Sequence, residues 1–317
     1  MSQHVYIYSP SGAVRDKAAF RRAVARLQAM GCEVEVDPSA LAGHQRFAGD
    51  DEVRLAAIHR AAGSGADVAL VSRGGYGLTR ILDRIRYPAL ARAVERGTRF
   101  VGMSDFTALQ CALLARTGAV SWAGPALCES FGGVSAPDEI TQACFQDLLL
   151  DQGEGTGWRL PRSTTPAVLG AEPATAGGLG AEQFTLAGRV LWGGNLAVLC
   201  SLVGTPYLPA VSGGILFLED VQEHPYRIER MLTQLLHAGV LAKQKAVLLG
   251  QFTDFQLVAH DRGFNLGQVV QWLRSRIKAP VLTNLPFGHV ATKVLLPVGA
   301  KVDLARQGRD ALLFWGG

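Results

Sequence analysis

Short apolar runs alternate with stretches whose apolar residues recur every three or four positions. This rhythm lays out the first half of the chain. His4 to Tyr8 predicts a strand that runs into the turn Ser9-Pro10-Ser11-Gly12. A helix is predicted from about Lys17 to Met30, with Phe20, Val24 and Leu27 on one face and Gly31 as its stop. Glu33 to Val36 gives a second strand. Asp50 to Ala62 gives a helix with Val53, Ile58 and Ala61 turned inward. A third strand, Asp67 to Val71, breaks at Arg73-Gly74-Gly75-Tyr76-Gly77, and Leu78 to Ile85 continues as a helix. Phe100 to Gly102 is a fourth strand, followed from Phe106 to Arg116 by another helix. Strand and helix in alternation imply a mostly parallel sheet covered on both faces.

The pattern changes near residue 153. Gly153 to Gly180 is rich in Gly, Pro, Thr and Ala and reads as a linker with little secondary structure. The expected division is a first domain over 1–152, a linker over 153–185 and a second domain over 186–317. In the second domain, Gly188 to Leu196 is a strand turning into a helix, and Gly214 to Leu218 is a buried strand ending at Glu219-Asp220. Helices are predicted at Tyr226 to His237 and Asn265 to Lys278. Strands are predicted at Ala246 to Leu249 and Pro280 to Leu282, and in short pieces from Lys293 to Phe314.

With 317 residues, 48% hydrophobic and 18% charged, the chain can bury a sizeable core and is not disordered over most of its length. A net charge of +4 from scattered basic residues gives no footprint for nucleic acid. Five cysteines without Cys-x-x-Cys argue against a disulfide framework or a zinc knuckle. No apolar run is long enough to span a bilayer and no signal-peptide pattern opens the chain, so a cytoplasmic location away from membranes is expected.

Candidate chemistry gathers where predicted strands end, as it does in parallel sheets. Gly102-Met103-Ser104-Asp105-Phe106 resembles a nucleophile elbow whose second glycine is replaced by Phe106. A helix cap is the commoner use of such a serine. The glycine loop at 74–77 lacks the Gly-Lys-Ser/Thr of a phosphate loop and suits an oxyanion-donor role better. Glu219 ends a buried strand, with Asp220 and Glu223 as rivals. Among seven histidines, His289 stands out between Pro286, Gly288 and the end of a strand, whereas His224 and His237 suit structural roles.

Taken together, Ser72-Arg73-Gly74-Gly75-Tyr76-Gly77, Gly102-Met103-Ser104-Asp105, Gly193-Gly194-Asn195-Leu196, Phe217-Leu218-Glu219-Asp220 with Pro225-Tyr226-Arg227, and Gly288-His289 resemble the LD-carboxypeptidase family of serine peptidases. The pieces occur in the family's order and span nearly the whole chain. The resemblance implies an α/β fold: an N-terminal flavodoxin-like domain, related to glutamine-amidotransferase folds, followed by a smaller C-terminal β/α domain. It implies Ser104 as nucleophile, His289 as general base and Glu219 as the group that orients the histidine. The oxyanion hole would come from the N–H groups of Gly75 and Asp105. Arg73 and Tyr76, beside the glycine loop, are the candidates for holding substrate. The implied substrate is a murein tetrapeptide cut before its terminal D-alanine, with no metal or other cofactor and with a homodimer as the assembly.

Three other readings compete. A microcin-immunity-type peptidase would cleave a peptide-nucleotide conjugate and would want a base-stacking aromatic, for which Trp158 and Trp192 are available. A non-enzymatic small-ligand module would keep the glycine loop alone. A cysteine amidotransferase-like hydrolase would need a thiol such as Cys111.

Overall fold

The structure is a computed structural model and describes residues 2–162 and 183–316. In chain order the first elements are β1 (His4–Tyr8), α1 (Lys17–Ala29), β2 (Glu33–Val36), α2 (Asp51–Gly63), β3 (Val68–Val71), α3 (Tyr87–Glu95), β4 (Arg99–Gly102), α4 (Thr107–Thr117), β5 (Ser121–Ala123) and α5 (Glu139–Leu150). There follow β6 (Gly155–Arg159), β7 (Gln183–Asn195), α6 (Leu196–Ser201), β8 (Ile215–Val221), α7 (Pro225–His237), β9 (Ala246–Thr253), α8 (Leu266–Arg276), β10 (Val281–Leu282), β11 (Leu296–Val298), β12 (Lys301–Gln307) and β13 (Asp310–Phe314). They fall into two compact units. One comprises residues 1–153, 193–210 and 290–299; the other comprises 154–192, 211–289 and 300–317. The segments of the two units interleave along the sequence, where composition suggested a single boundary.

The first unit is built on a six-stranded sheet in the order β11-β5-β4-β3-β1-β2. The five strands from the N-terminal half are parallel, in the 2-1-3-4-5 order of flavodoxin-like folds. Both faces are covered, so β3 is buried at all four positions and reads as a continuous apolar run. Helix α1 shows how the covering layer forms. Asp16 caps its start by accepting from the N–H groups of Ala18 and Ala19 at 2.8 and 2.9 Å. Ala19, Phe20, Ala23 and Leu27 then bury one stripe of the helix in a core that includes Val5, Ile7, Leu70, Phe131 and Phe145. The sixth strand, β11, comes from near the C-terminus and lies antiparallel to β5.

The second unit carries a seven-stranded sheet in the order β10-β9-β8-β7-β12-β13-β6. Strands β8, β9 and β10 are parallel and alternate with α7 and α8; β7, β12, β13 and β6 pair antiparallel in that order.

Two sequence readings change. Leu78 to Ile85 is not one helix. It is two three-residue 3₁₀ turns, Leu78–Arg80 and Leu82–Arg84, separated by Ile81 at φ −124°. Leu78, Ile81, Leu82 and Ile85 are all buried, and that spacing imitates a helical stripe. The span read as a linker opens with strand β6, whose Gly155 and Gly157 let its backbone lie close against β13. Its last residues, 183–185, already belong to β7, and 163–182 lie outside the described residues.

Candidate active site

Strand β4 delivers the first candidate side chain. After Gly102 and an extended Met103, Ser104 turns into the left-handed region at φ 62°, a conformation that non-glycine residues seldom adopt and that recurs at functional turns. A 3₁₀ turn, Ser104–Phe106, leads into α4. Gly102 is required by packing. A Cβ there would lie 2.7 Å from both the Phe106 ring and Val71 Cγ2. Phe106, standing where the elbow pattern has its second glycine, thus packs over the first. The capping alternative is not what the serine does: Met103 occupies the cap position, and no side chain caps this turn or the start of α4.

Two further loops close around this turn, both at the carboxyl ends of sheet strands. Gly74, after β3, approaches so closely that a Cβ on it would sit 2.7 Å from Ser104 Cβ and 2.8 Å from its Oγ. Gly75 follows at φ 116°, a geometry suited to glycine. The turn after β1 is tied to this loop by the Gly12 N–H donating to Gly74 O at 3.1 Å. The buried Ser9 and Ser72 hydroxyls add a 2.6 Å contact. The Asp105 carboxylate then fastens all three loops. It accepts from Ser11 Oγ at 2.7 Å, from Leu78 N at 3.0 Å and from the Gly77 N–H. Burial raises its pKa and these donors oppose the rise. Behind them lies Arg54, wholly buried, donating to Pro10 O at 3.1 Å and stacked on the Phe47 ring at 4.9 Å. The Gly193-Gly194-Asn195 motif seats the same region from another side. The Asn195 N–H donates to Thr107 Oγ1 at 3.0 Å, and Gly194 leaves room for that threonine at the start of α4.

Among the described residues, no carbonyl or side chain accepts from the N–H groups of Gly75 or Asp105. They are the two donors that the resemblance implied for an oxyanion.

The second unit assembles the other half of the candidate chemistry. Glu219 lies inside β8, wholly buried, where the register with β9 shifts between Leu218 and Asp220. Successive side chains along a strand point to opposite faces, which separates the neighbouring carboxylates. Glu219 faces the loop after β10, and its Oε2 lies 2.8 Å from His289 Nδ1. Asp220 Oδ1 accepts from the Val221 N–H at 2.8 Å, and Glu223 pairs with Arg227. Of the three acids, Glu219 contacts His289. The histidine loop is held by backbone. Gln251 N donates to Phe287 O at 2.8 Å, and Leu285 N to Leu249 O at 3.2 Å. Gly250 is forced by the Phe287 carbonyl, which a Cβ would meet at 2.4 Å. Gly288 at φ 143° turns the chain so that His289 can face Glu219. With Nδ1–H donated to a carboxylate, a neutral imidazole carries its lone pair on Nε2, the arrangement a general base needs.

The structure therefore brings Ser104 together with Gly74, Gly75 and Asp105 in one unit, and Glu219 together with His289 in the other. The remaining histidines singled out do structural work: His224 caps α7 and contacts Asp261 at 3.1 Å, and His237 ends that helix. Arg73 is half-buried and donates to Ala13 O at 3.2 Å. Tyr76 is exposed beside Phe47 and Arg46. Both line a cleft of about 120 Å³ together with Arg15 and Arg46. Those two arginines had no distinguishing signal in sequence, being isolated basic residues in polar turns. The Asp105 carboxylate and Arg54 were also missed as site supports; a buried arginine on a helix read as amphipathic leaves no periodic trace.

The structure also bears on the competing chemistries. Cys111 is buried in α4, and burial pushes its thiol up to about 12, which leaves it no thiolate to act with. Trp158 and Trp192 are buried, with indole N–H groups donated to Thr283 O at 3.0 Å and Gln244 Oε1 at 2.9 Å. Among the described residues, no group of three or more His, Cys, Asp or Glu is placed to hold a metal ion, and no helix is long and apolar enough to cross a membrane.

Residues 5–124 match the LD-carboxypeptidase N-terminal domain and residues 188–304 match the LD-carboxypeptidase C-terminal domain. The muramoyltetrapeptide carboxypeptidase of Oxalobacter formigenes has a crystal structure that superposes with a TM-score of 0.84 at 37% identity, covering 99% of each chain. The murein tetrapeptide carboxypeptidase of Pseudomonas aeruginosa is 31% identical over 285 residues, 86% of this chain and 84% of that one. The microcin C7 self-immunity protein MccF of Escherichia coli is 28% identical over 246 residues, covering 73% of this chain and 69% of that one.

Proposed function

The chain belongs to the LD-carboxypeptidase family and is a serine-type carboxypeptidase, and from that premise we propose that it hydrolyses the bond between the diamino acid and the terminal D-alanine of murein tetrapeptides. Ser104, His289 and Glu219 are its triad. The observation that carries the assignment is the 2.8 Å contact between His289 Nδ1 and the buried Glu219 carboxylate, matched by a serine held in the left-handed region at a strand end.

A serine hydroxyl is a weak nucleophile until a base takes its proton. His289 Nε2 accepts that proton as Ser104 Oγ adds to the carbonyl of the diamino acid. The Glu219 carboxylate fixes the tautomer and stabilises the imidazolium. The oxyanion is met by the N–H groups of Gly75 and Asp105; loss of one such donor typically costs on the order of 10²–10³ in rate. Collapse breaks the C–N bond, and the leaving amine takes the proton from His289, so D-alanine departs. Water, deprotonated by the same imidazole, then cleaves the ester to give tripeptide and free serine.

The test is incubation with murein tetrapeptide, with tripeptide and free D-alanine as the expected products and none from Ser104→Ala. Cleavage of a peptide-nucleotide conjugate with the tetrapeptide left intact would favour the immunity-type reading instead. The burial of both tryptophans available for stacking a base supports the murein substrate. The same reading takes the enzyme to be a cytoplasmic homodimer acting on a small peptide without a cofactor, and light scattering on the purified protein checks the assembly.

A further inference from the structure

The cleft beside the glycine loop has a charge character that the proposed chemistry does not yet use. Three guanidinium side chains line it, those of Arg15, Arg46 and Arg73. Among the described residues none of the three forms an ion pair with a carboxylate. Other arginines of this chain do pair: Arg54 and Arg80 with Asp51, Arg60 with Asp37, Arg84 with Glu52 and Arg99 with Asp151. Like charges gathered in one cleft repel, and an anion seated among them relieves the repulsion.

The cleft adjoins the proposed oxyanion donor. Gly75 lines it, and Gly74, the preceding residue, lies against Ser104 Oγ. Arg73 is fixed there, with Nη1 donating to Ala13 O and packed on Gly12. Arg46 stands over the exposed Tyr76 ring, 5.8 Å from its centroid. Arg15 and Arg46 are exposed. A planar guanidinium binds a carboxylate through two parallel hydrogen bonds, so this lining suits a carboxylate.

We propose that Arg15 and Arg46, backed by Arg73, form the subsite for the C-terminal carboxylate of the leaving D-amino acid, and so make the enzyme a carboxypeptidase rather than an endopeptidase. The inference rests on the reading of Ser104 as nucleophile and Gly75 as oxyanion donor. Reach selects this carboxylate over others on the substrate. The terminal carboxylate lies one residue, roughly 3.5 Å, from the scissile carbonyl. The carboxylates of the diamino-acid side chain and of the preceding glutamate lie farther off, on the acyl side.

The experiment compares the tetrapeptide acid, its C-terminal amide and a lysine-containing tetrapeptide acid that lacks the side-chain carboxylate. Each is titrated calorimetrically against Ser104→Ala protein, with and without Arg15→Ala or Arg46→Ala, and thermal melts verify folding. The expected result is a preference for either acid over the amide of on the order of 10²-fold, the worth of a bidentate charged pair. Each arginine replacement should reduce that preference at least tenfold while leaving amide binding unchanged. In the Ser104 enzyme the same replacements should raise KM for the acid with little change in kcat. An acid-over-amide ratio that survives both replacements, or the absence of any such ratio, overturns the proposal, as does a preference that disappears only with the lysine peptide. Failure of the functional reading shows separately, as absent D-alanine release by the unaltered enzyme.

Discussion

Single atoms decide how close the working groups come. At position 74 the missing Cβ is the space that Ser104 Oγ occupies, while the backbone there lies outside the left-handed region, so alanine is conformationally tolerated. Gly74→Ala should therefore keep the fold and displace the hydroxyl by about the ångström that typically costs on the order of 10² in rate. The measurement is kcat/KM on the tetrapeptide beside a thermal melt; full activity with an unchanged melt would mean that this hydroxyl is not the reacting group. Glu219 makes the companion point about identity. Three carboxylates within five positions looked equivalent in sequence, and Glu219 faces His289 because successive side chains along β8 point to opposite faces of the sheet.

Among elements, the loops after β1, β3 and β4 are held as a set by side chains that are not themselves reactive. Asp105, on the loop after β4, ties it to the other two, and Asp37 does similar work at the end of β2. Its carboxylate accepts from Tyr6 Oη of β1 at 2.7 Å, from Arg60 of α2 at 2.8 and 2.9 Å and from Ser39 Oγ at 2.6 Å. Burial would raise its pKa, but the hydrogen bonds from Arg60, Ser39 and Tyr6 outweigh it and hold the group at about 2. A folded-state value below the unfolded one, about 3.9, means that the contribution to stability is complete above pH ~4 and lost as pH falls through about 2. Asp37→Asn should accordingly lower the melting temperature at neutral pH and flatten its fall between pH ~4 and 2. An identical acid limb in the variant would show that Asp37 carries none of it. The elements themselves were largely legible. Strand β1 and strand β2 fall where the apolar pattern put them, and α1 ends one residue short, because each has a clear period and a cap or glycine at its edge. The predicted helix at Leu78 to Ile85 was misread because two short turns bury the same four apolar residues as one helix would. What separates them is Ile81, whose φ of −124° interrupts the segment between the two turns.

For the chain as a whole, the returning strand β11 has the largest consequence. It pairs Leu296 with Ala123 and Val298 with Ser121, and Leu295 beside it enters the core of the first unit. The adjoining Lys293 N–H donates to Thr141 Oγ1 at 2.8 Å, and Thr292 Oγ1 donates to Asp138 at 2.7 Å. A fragment ending at residue 153 would leave the β5 edge unpaired and this core open, inviting edge-to-edge association. Such a fragment should melt at least several degrees below the full chain, or without a cooperative transition, and should aggregate. A monomeric fragment with an unchanged melting temperature would show that the first unit stands without its distant strand.

Local pattern by itself determined the alternation of strand and helix, the parallel character of the first sheet and the identity of the residues worth watching, because periodicity, caps and glycine turns act within a few positions along the chain. Tertiary structure alone decided that Glu219 meets His289, that Cys111 is sealed away, that Arg15 and Arg46 share a cleft with the glycine loop and that the last part of the chain completes the first sheet. Those outcomes depend on segments tens to more than a hundred residues apart, whose meeting is set by the burial and hydrogen bonding of the whole fold.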